Sequence, residues 1–265
     1  MKVTLIGSGN VATHIALRLK EAGVEIACIY NRTYSHAEQL ARKVGCFCTS
    51  DKSLIPASDV YICSVKDDFI APVLDGVKIG NKLVIHTAGS VSIDVLSPFS
   101  ANTGVMWPMQ TFSISKKVDW SGIPVYIEAN TQENETKLFQ FANILTPKVT
   151  VVTAHQRKIL HLTSVFACNF TNQIYATAYR LLKENGLDFS TLFPLIDETV
   201  SKIKMIEPAK AQTGPAVRND EKVMQMQRGL LSGCDLELYK TISKAIQLVH
   251  EQLQRETSHD YGFFF

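Results

Sequence analysis

A glycine-rich turn lies near the start of the chain, where Gly7-Ser8-Gly9 follows a short apolar run and precedes a helical pattern. At such a turn the first glycine permits a tight bend, and the second lets the backbone approach a phosphate at the helix N-terminus. Glycine pairs at this spacing also occur by chance, so the position between a strand and a helix carries the argument. We predict a dinucleotide site here, with a purely structural turn as the alternative. The predicted contact residues of the turn are Gly7, Ser8, Gly9, Asn10 and Val11.

The end of the second predicted strand distinguishes between the two nicotinamide dinucleotides. Sites that prefer NAD place an acidic residue roughly 20 residues after the glycine turn, where it binds the ribose hydroxyls. This chain has Asn31-Arg32-Thr33 there, without a carboxylate to repel a phosphate. Arg32 can pair with a 2′-phosphate and Thr33 can add a hydroxyl, so we predict that Asn31, Arg32 and Thr33 select NADP(H). The alternative is an arginine that simply faces solvent.

Two further loops follow predicted strands at the same edge of the sheet. We expect the loop 64–68 to cover the riboses of the cofactor, with Ser64, Val65 and Lys66 as its contact residues. Thr87 and Gly89 follow the next strand, where a glycine would let the nicotinamide lie against the backbone. Both inferences rest on position along the chain, and ordinary turns are the alternative.

Hydride transfer to a carbonyl or imine also needs a group that donates or accepts a proton. A long predicted helix, 154–185, carries polar residues among apolar ones. At about 100° per residue, His161, Cys168 and Asn172 lie close to one line, which we expect to face a buried cleft. Because histidine titrates near neutral pH, we predict that His161 transfers the proton and that Asn169 positions the substrate or the nicotinamide. A core histidine hydrogen-bonded to an amide is the alternative.

A basic segment with a loop precedes the last helices. Between residues 202 and 218 there are four basic residues and one acidic residue, and Gly214-Pro215 interrupts the helix. We predict that Arg218 and Gln212 hold a carboxylate or phosphate of the substrate, and a purely structural loop is the alternative. Gln110, which lies beyond a predicted strand, is a weaker candidate for the substrate site.

The predicted secondary structure changes near residue 153, from alternating strands and helices to helices alone. Before it, short β-rich runs alternate with helical patterns, which is typical of crossover units and a mostly parallel sheet. The predicted strands are 2–6, 25–30, 59–65, 82–86, 104–107, 124–128 and 149–153. After residue 153 the pattern is helical throughout. We therefore predict an α/β fold with a Rossmann-type, doubly wound, mostly parallel sheet at 1–153, followed by an all-helical domain at 154–265.

The helical half ends in an amphipathic pattern, 235–256, whose apolar residues fall on one stripe. They are Leu238, Ile242, Ala245, Ile246, Val249 and Leu253. This stripe predicts a homodimer formed through the helical domain. The aromatic tail, 261–265, could pack on a partner subunit or be disordered.

Composition argues against several classes of protein. The 265 residues are 46% hydrophobic with a formal net charge of +2, so we expect no nucleic-acid or membrane-surface partner, both of which need a concentrated basic face. No apolar run reaches the roughly 18 residues of a membrane span, and we expect no secretion signal. The 6 cysteines include no C-x-x-C pair, which favours reduced thiols in the cytoplasm and no metal site.

Six stretches of the chain together resemble a known family. They are 7–11, 31–33, 86–89, 108–112, 161–170 and 212–220. With them the chain resembles two-domain NADP oxidoreductases that have no assigned substrate, whose nucleotide-binding half is similar to that of pyrroline-5-carboxylate reductase and deazaflavin-dependent NADP reductase. The resemblance implies a helical C-terminal domain that dimerises, as in relatives of 6-phosphogluconate dehydrogenase.

Two positions depart from the patterns of related families. Trp107 stands before Pro108 where the resemblance implies a histidine, so proton transfer by that residue is absent. The lysine and asparagine pair of the β-hydroxyacid dehydrogenases is also missing, because Lys158 is followed by His161 at the asparagine position. A lysine-driven oxidation of a hydroxyacid is therefore not supported.

These inferences combine into one functional hypothesis. We predict a cytoplasmic, NADP(H)-dependent oxidoreductase that transfers hydride to or from a small, anionic carbonyl or imine compound in a cleft between the domains. The alternative is a non-catalytic NADP(H)-binding sensor or scaffold protein. Methyl transfer from S-adenosylmethionine is disfavoured, since the second strand lacks the acid that such enzymes commonly use for the ribose.

Overall fold

The computed structural model describes residues 1–260, with side chains described as far as residue 256. The aromatic tail, 261–265, lies outside the described residues. The chain divides into two compact units, Met1–Asn169 and Phe170–Phe265. The first compact unit includes the beginning of the helical region predicted to start at residue 154, and the buried side chain of Arg157 lies in it.

The first unit contains one sheet of eight strands. They are β1 (Lys2–Ile6), β2 (Glu25–Tyr30), β3 (Phe47–Thr49), β4 (Val60–Cys63), β5 (Leu83–His86), β6 (Thr103–Pro108), β7 (Val125–Ala129) and β8 (Val149–Val151). Their order is β3-β2-β1-β4-β5-β6-β7-β8, and neighbours are parallel except β6 and β7, which are antiparallel. The predicted α/β class with a doubly wound, mostly parallel sheet is confirmed.

Helices cover the sheet because its central strands are apolar on both faces; every residue of β4 and β5 is buried. The helices of this region are α1 (Asn10–Glu21), α2 (Tyr34–Val44), α3 (Ile70–Leu74) and α4 (Gln132–Ala142). Ala12, Ile15 and Leu19 of α1 are fully buried in the core that contains β1. The crossover from β1 through α1 to β2 therefore leaves the glycine turn at the carboxyl edge of the sheet, between the ends of β2 and β4.

The strands predicted from the sequence agree with the observed ones to within two residues at each end. The exception is β3, which has no counterpart among the predicted strands. It is 3 residues long and pairs only with β2, so it forms the edge of the sheet. A strand this short gives too few alternating positions to be recognised by periodicity.

The stretch predicted as a long helix, 154–185, is helical from 154 to 184, but it is not α-helical throughout. The structure has α5 (Ala154–Ser164), a π-helical segment (Val165–Phe170) and α6 (Thr171–Glu184). Hydrogen bonds in a π-helix span five residues instead of four, so directions counted at 100° per residue do not hold across this segment. The predicted line of His161, Cys168 and Asn172 is therefore broken.

The described part of the second unit is built from helices. After α6 these are α7 (Phe193–Lys202), α8 (Pro208–Ala211), α9 (Glu221–Gly229) and α10 (Gly233–Asp260). Among the described side chains of this unit, only Ala216, Met224 and Ser243 are buried. Many of its large apolar side chains are exposed, including Phe170, Ile174, Phe193, Leu195, Ile203, Leu230 and Leu248. No helix in the described part of the chain is both long enough and apolar enough to cross a membrane.

Candidate functional site

The glycine turn between β1 and α1 is held by backbone contacts. Gly7 has a φ of +113°, and its N–H donates to the carbonyl oxygen of Tyr30 at 2.8 Å. A Cβ atom at Gly7 would lie 2.2 Å from the carbonyl oxygen of Ser64. The fold itself therefore requires glycine at this position, because the turn passes directly over the residue that follows β4.

Gly9 is at the N-cap of α1 and faces open space. Its φ is −74°, which any residue can adopt, and no described atom lies within 4 Å of an added Cβ. No described side chain caps this end of α1, so its first N–H groups and the positive end of the helix dipole can face a ligand. Neither backbone strain nor packing within the described chain explains glycine here, whereas the close approach of a phosphate does.

Two asparagine side chains tie the turn to neighbouring loops. Asn31 Nδ2 donates to Ser8 Oγ at 2.7 Å, while its Oδ1 accepts from the backbone N–H of Thr33 at 2.9 Å. Asn10 Nδ2 donates to the carbonyl oxygen of Phe112 at 2.8 Å. Asn10 and Asn31 thus support the shape of the turn.

A cavity of about 1040 Å³ opens over the turn, large enough for a dinucleotide. Every residue predicted to bind the cofactor lines it except Thr33, which lies exposed at the N-cap of α2. The lining also includes Asp67 and Ala88 of the two predicted loops, and five residues that were not predicted: Tyr30, Lys52, Phe69, Pro72 and Val73. Lys52, Asp67 and Phe69 lie in short turns after β3 and β4, where no periodic pattern marks a functional position.

The part of the cavity beside the end of β2 is basic. The guanidinium carbon of Arg32 lies 5.9 Å from the centroid of the Phe69 ring. Lys52 also lines the cavity, and its ammonium donates to the carbonyl oxygens of Pro72 and Asp75 at 3.0 and 2.8 Å. Because these cations concentrate positive potential, this part of the cavity favours an anionic group.

The loop after β5 forms another wall of the cavity. Thr87 Oγ1 donates to Ser64 Oγ at 3.0 Å, which joins the loops that follow β4 and β5. A Cβ at Gly89 would lie 2.5 Å from Cδ2 of His161 and 2.8 Å from Cε2 of Trp107. The rings of His161 and Trp107 lie 5.7 Å apart, centroid to centroid. The structure therefore brings His161 against Gly89, which lines the cavity.

Arg157 lies behind the same loop, and the sequence analysis missed it. Its side chain is fully buried, and Nε and Nη2 both donate to Oε2 of Glu128, at 3.0 and 2.9 Å. Nη1 donates to the carbonyl oxygens of Ala88 and Gly89, at 3.2 and 2.9 Å. Arg157 and His161 are four residues apart on α5, so one helix face carries both. The spacing of four residues from His161 was the only feature of the sequence that could have indicated a role for Arg157 near this site.

His86, which ends β5, is fully buried. Its Nδ1 is 3.2 Å from the backbone N–H of Ala88 and accepts from it. The proton of the neutral ring is therefore on Nε2, which has no hydrogen-bond partner among the described residues. Burial, followed by the charge of Arg157, lowers the pKa of His86 to about 4, against smaller opposite effects of the Ser92 backbone and Asp67. The ring is neutral at neutral pH and supports the loop through Ala88.

The buried His86 predicts a pH dependence of stability. Its pKa is about 4 in the folded chain against 6.5 for the ordinary group, so the unfolded chain binds more protons between these values. Stability is complete above pH 6.5 and is lost as the pH falls towards 4. The free energy of unfolding should fall by about 2 kcal/mol between pH 7 and pH 5 through His86 alone, measured by urea denaturation. The variant His86→Asn keeps an acceptor near Nδ1 without titrating and should lose that contribution; an unchanged pH dependence would contradict the assignment.

None of the predicted catalytic residues lines this cavity, and His161 approaches it only through its contact with Gly89. Gln110 is exposed after β6, where its Oε1 accepts from the N–H of Thr111 at 2.8 Å, and Asn169 is exposed in the π-helical segment. Gln212 and Arg218 belong to the second unit, and both are exposed. Arg218 lines a separate cavity of about 470 Å³ within that unit, together with Ala216, Val217, Asn219, Gln247, His250, Glu251 and Gln254.

Two family models match different parts of the chain. Residues 2–90, which include the glycine turn and the walls of the cavity, match the family described as NADP oxidoreductase, coenzyme F420-dependent. Residues 123–246 match a domain of unknown function (DUF2520).

Three solved structures have a similar fold over nearly the whole chain. A Bacteroides fragilis protein named "putative NADP oxidoreductase BF3122" is 39% identical, with a TM-score of 0.86, and the match covers 93% of this chain and 97% of that one. Protein TM1727 from Thermotoga maritima is 22% identical, with a TM-score of 0.78 and coverage of 94% and 99%. An imine reductase from Myxococcus stipitatus in complex with NADP+ is 15% identical, with a TM-score of 0.69 and coverage of 97% and 95%.

The curated relatives share a shorter region. Glutamyl-tRNA reductase from Methanococcus maripaludis is 35% identical over 96 residues, which are 35% of this chain and 25% of the reductase. The match therefore spans about a quarter of the length of those relatives.

Proposed function

The chain belongs to the family of NADP oxidoreductases represented by the Bacteroides fragilis protein, and we propose that it transfers hydride between NADP(H) and a small, anionic carbonyl or imine compound. The observation that carries the proposal is the open space over Gly9. It adjoins uncapped N–H groups of α1 and lies in a cavity with a basic region. NADP(H) fits this cavity, because its pyrophosphate can accept from the N–H groups of α1 and its additional 2′-phosphate can bind in the basic region.

The order of the strands indicates how NADP(H) would be held. The strands run β2-β1-β4-β5, so the glycine turn after β1 stands between Arg32 beside β2 and Gly89 beyond β5. Gly9 and the N-terminus of α1 would hold the pyrophosphate, and Arg32 would pair with the 2′-phosphate. The nicotinamide would then lie toward Gly89. When bound, NADPH supplies a hydride, and the chain supplies the proton.

His161 is the proposed proton donor or acceptor. Its imidazole ring packs directly on Gly89, beside the buried ring of Trp107. Imidazole can hold or release a proton near neutral pH, which suits an oxygen or nitrogen that gains or loses charge. Asn169 and Gln110 remain proposed to position the substrate, and Arg218 with Gln212 to hold its anionic group. The basic residues between 202 and 218 support an anionic substrate.

The function is tested by following NADPH oxidation with a panel of keto acids, cyclic imines and a deazaflavin. We expect turnover with at least one class, and we expect His161→Ala to lower it. His155→Ala is the matched control, because His155 is exposed on the same helix and is not among the nearest neighbours of Gly89. Unchanged turnover of His161→Ala would remove its assigned role. Tight NADPH binding without turnover on any compound would instead support the non-catalytic sensor.

The same proposal includes a homodimer formed by the second unit. A folded unit that buries only three of its described side chains lacks a core of its own, and its exposed apolar residues need a partner surface. Light scattering should therefore give twice the 29.4 kDa of one chain. Leu195→Asp, at a side chain that is 64% exposed, should weaken the dimer, whereas Phe139→Asp on α4 of the first unit should not. A monomer at micromolar concentration would contradict the proposal.

A further inference from the structure

Arg157 forms an unusual cluster of polar contacts for a fully buried side chain. Its guanidinium makes two hydrogen bonds to Glu128, which is itself largely buried, and two to the carbonyl oxygens of Ala88 and Gly89. Both carbonyls belong to the loop that follows β5. Arg157 therefore joins α5, β7 and this loop through one rigid, planar group.

Stability alone does not explain a buried arginine here. Removing two charges from water is costly, and well-packed apolar residues often replace a buried ion pair without loss of stability. An apolar side chain would, however, leave the carbonyls of Ala88 and Gly89 without this donor. The arginine is therefore best explained by the conformation that it imposes on the loop.

The loop is constrained at each of its residues. Thr87 is bonded to Ser64, the N–H of Ala88 to His86, and the two carbonyls to Arg157. His161, one turn after Arg157 on α5, packs against Gly89. With its carbonyls held by Arg157, the strip from 87 to 89 presents a fixed wall to the cavity.

We propose that Arg157 is a positioning residue that fixes this wall for the nicotinamide half of NADP(H). The inference rests on the proposed function, which places the nicotinamide toward Gly89. Arg157 acts through the backbone and does not touch the cofactor. Glu128 holds the guanidinium in the required orientation, because its Oε2 accepts from both Nε and Nη2. The adenosine half would lie on the other side of the glycine turn, beside β2, where it would depend on Arg32 and not on Arg157.

Two ligands of different length distinguish a positioning role of Arg157 from a general effect on the stability of the chain. NADPH reaches both ends of the cavity, while 2′,5′-ADP carries only the adenosine half with its 2′-phosphate. Both are titrated into the full chain and into Arg157→Lys, Arg157→Met and Glu128→Gln, with thermal unfolding measured for each variant. Lys137→Met is the matched control, because it removes an exposed ion pair with Glu133 in the same unit and does not line the cavity.

The expected result is a selective loss of affinity for NADPH. Arg157→Met should bind NADPH about tenfold more weakly and 2′,5′-ADP almost unchanged, since a displaced wall affects only the groups that lie on it. Arg157→Lys and Glu128→Gln, which keep part of the network, should give smaller losses in the same direction. They keep the test valid if Arg157→Met does not fold. Equal losses for both probes, or no loss for either, would overturn the positioning role. A wild-type chain that binds neither probe would overturn the proposed function itself.

Discussion

The variant Gly9→Val is expected to fold normally and to bind NADPH about a hundredfold more weakly, a loss of about 2.7 kcal/mol. A side chain at this position would occupy the space through which the backbone of the turn approaches a pyrophosphate. The cost to folding should be about 1 kcal/mol or less, because valine is a poorer N-cap residue than glycine but its Cβ would have no described atom within 4 Å. Fluorescence titration with NADPH and urea denaturation measure the two effects separately.

Two other glycines make this prediction specific. Gly122→Val is the matched control, since an added Cβ there also meets no described atom within 4 Å, and Gly122 does not line the cavity. It should leave NADPH affinity unchanged. Gly7→Ala should behave differently from both, because its Cβ would clash with the carbonyl oxygen of Ser64 and its φ of +113° disfavours any side chain. We expect Gly7→Ala to lose stability by about 3 kcal/mol or more, together with binding.

A Gly9→Val chain that binds NADPH as tightly as the wild type would show that no phosphate approaches α1 at this position. A chain that loses stability as severely as Gly7→Ala would instead show that Gly9 serves the fold. Either result would remove the observation on which the proposed function depends.

The variant Arg32→Ala is expected to bind NADPH about thirtyfold more weakly while its affinity for NADH changes little. A charge-assisted hydrogen bond to the 2′-phosphate contributes about 2 kcal/mol, which corresponds to that factor. NADH lacks the phosphate and loses only contact with the adenosine. The wild-type preference for NADPH over NADH should also decrease as salt is added, because an exposed ion pair is screened.

Arg42→Ala is the matched control for Arg32. Arg42 is exposed on α2 and forms an ion pair with Glu38, and it does not line the cavity. Its loss should leave the affinities for both dinucleotides unchanged. Near-equal affinity of the wild-type chain for NADH and NADPH, or full retention of NADPH affinity in Arg32→Ala, would contradict the assignment of Arg32.

Much of the first unit follows from local sequence. The apolar runs that become β1, β2, β4 and β5 are continuous because these strands are buried on both faces. The glycine turn is readable because part of the requirement for glycine is local, namely the φ of +113° at Gly7. Local signals of this kind supported the fold class, the resemblance to NADP oxidoreductases and the cofactor, all of which are confirmed.

Other features depend on interactions between distant parts of the chain. The π-helical segment, Val165–Phe170, breaks a periodicity that looked continuous in the sequence. Lys52 and Phe69 reach the cavity from segments that follow different strands. No local pattern marks Lys52 and Phe69 as cavity residues, because they come together only when their strands are placed in the same sheet.

The sequence by itself determined the class of the fold and the NADP cofactor, and it predicts which turn would receive a phosphate, since each inference depends on residue types at short spacing. Tertiary structure decided which residues surround the cofactor cavity. Only in the folded chain does Arg157 bond to Glu128 and to the carbonyls of Ala88 and Gly89. The contact between His161 and Gly89 likewise exists only in the folded chain. The physical reason is that these contacts join residues 29 to 72 positions apart, whose meeting depends on the order of the strands and the path of α5.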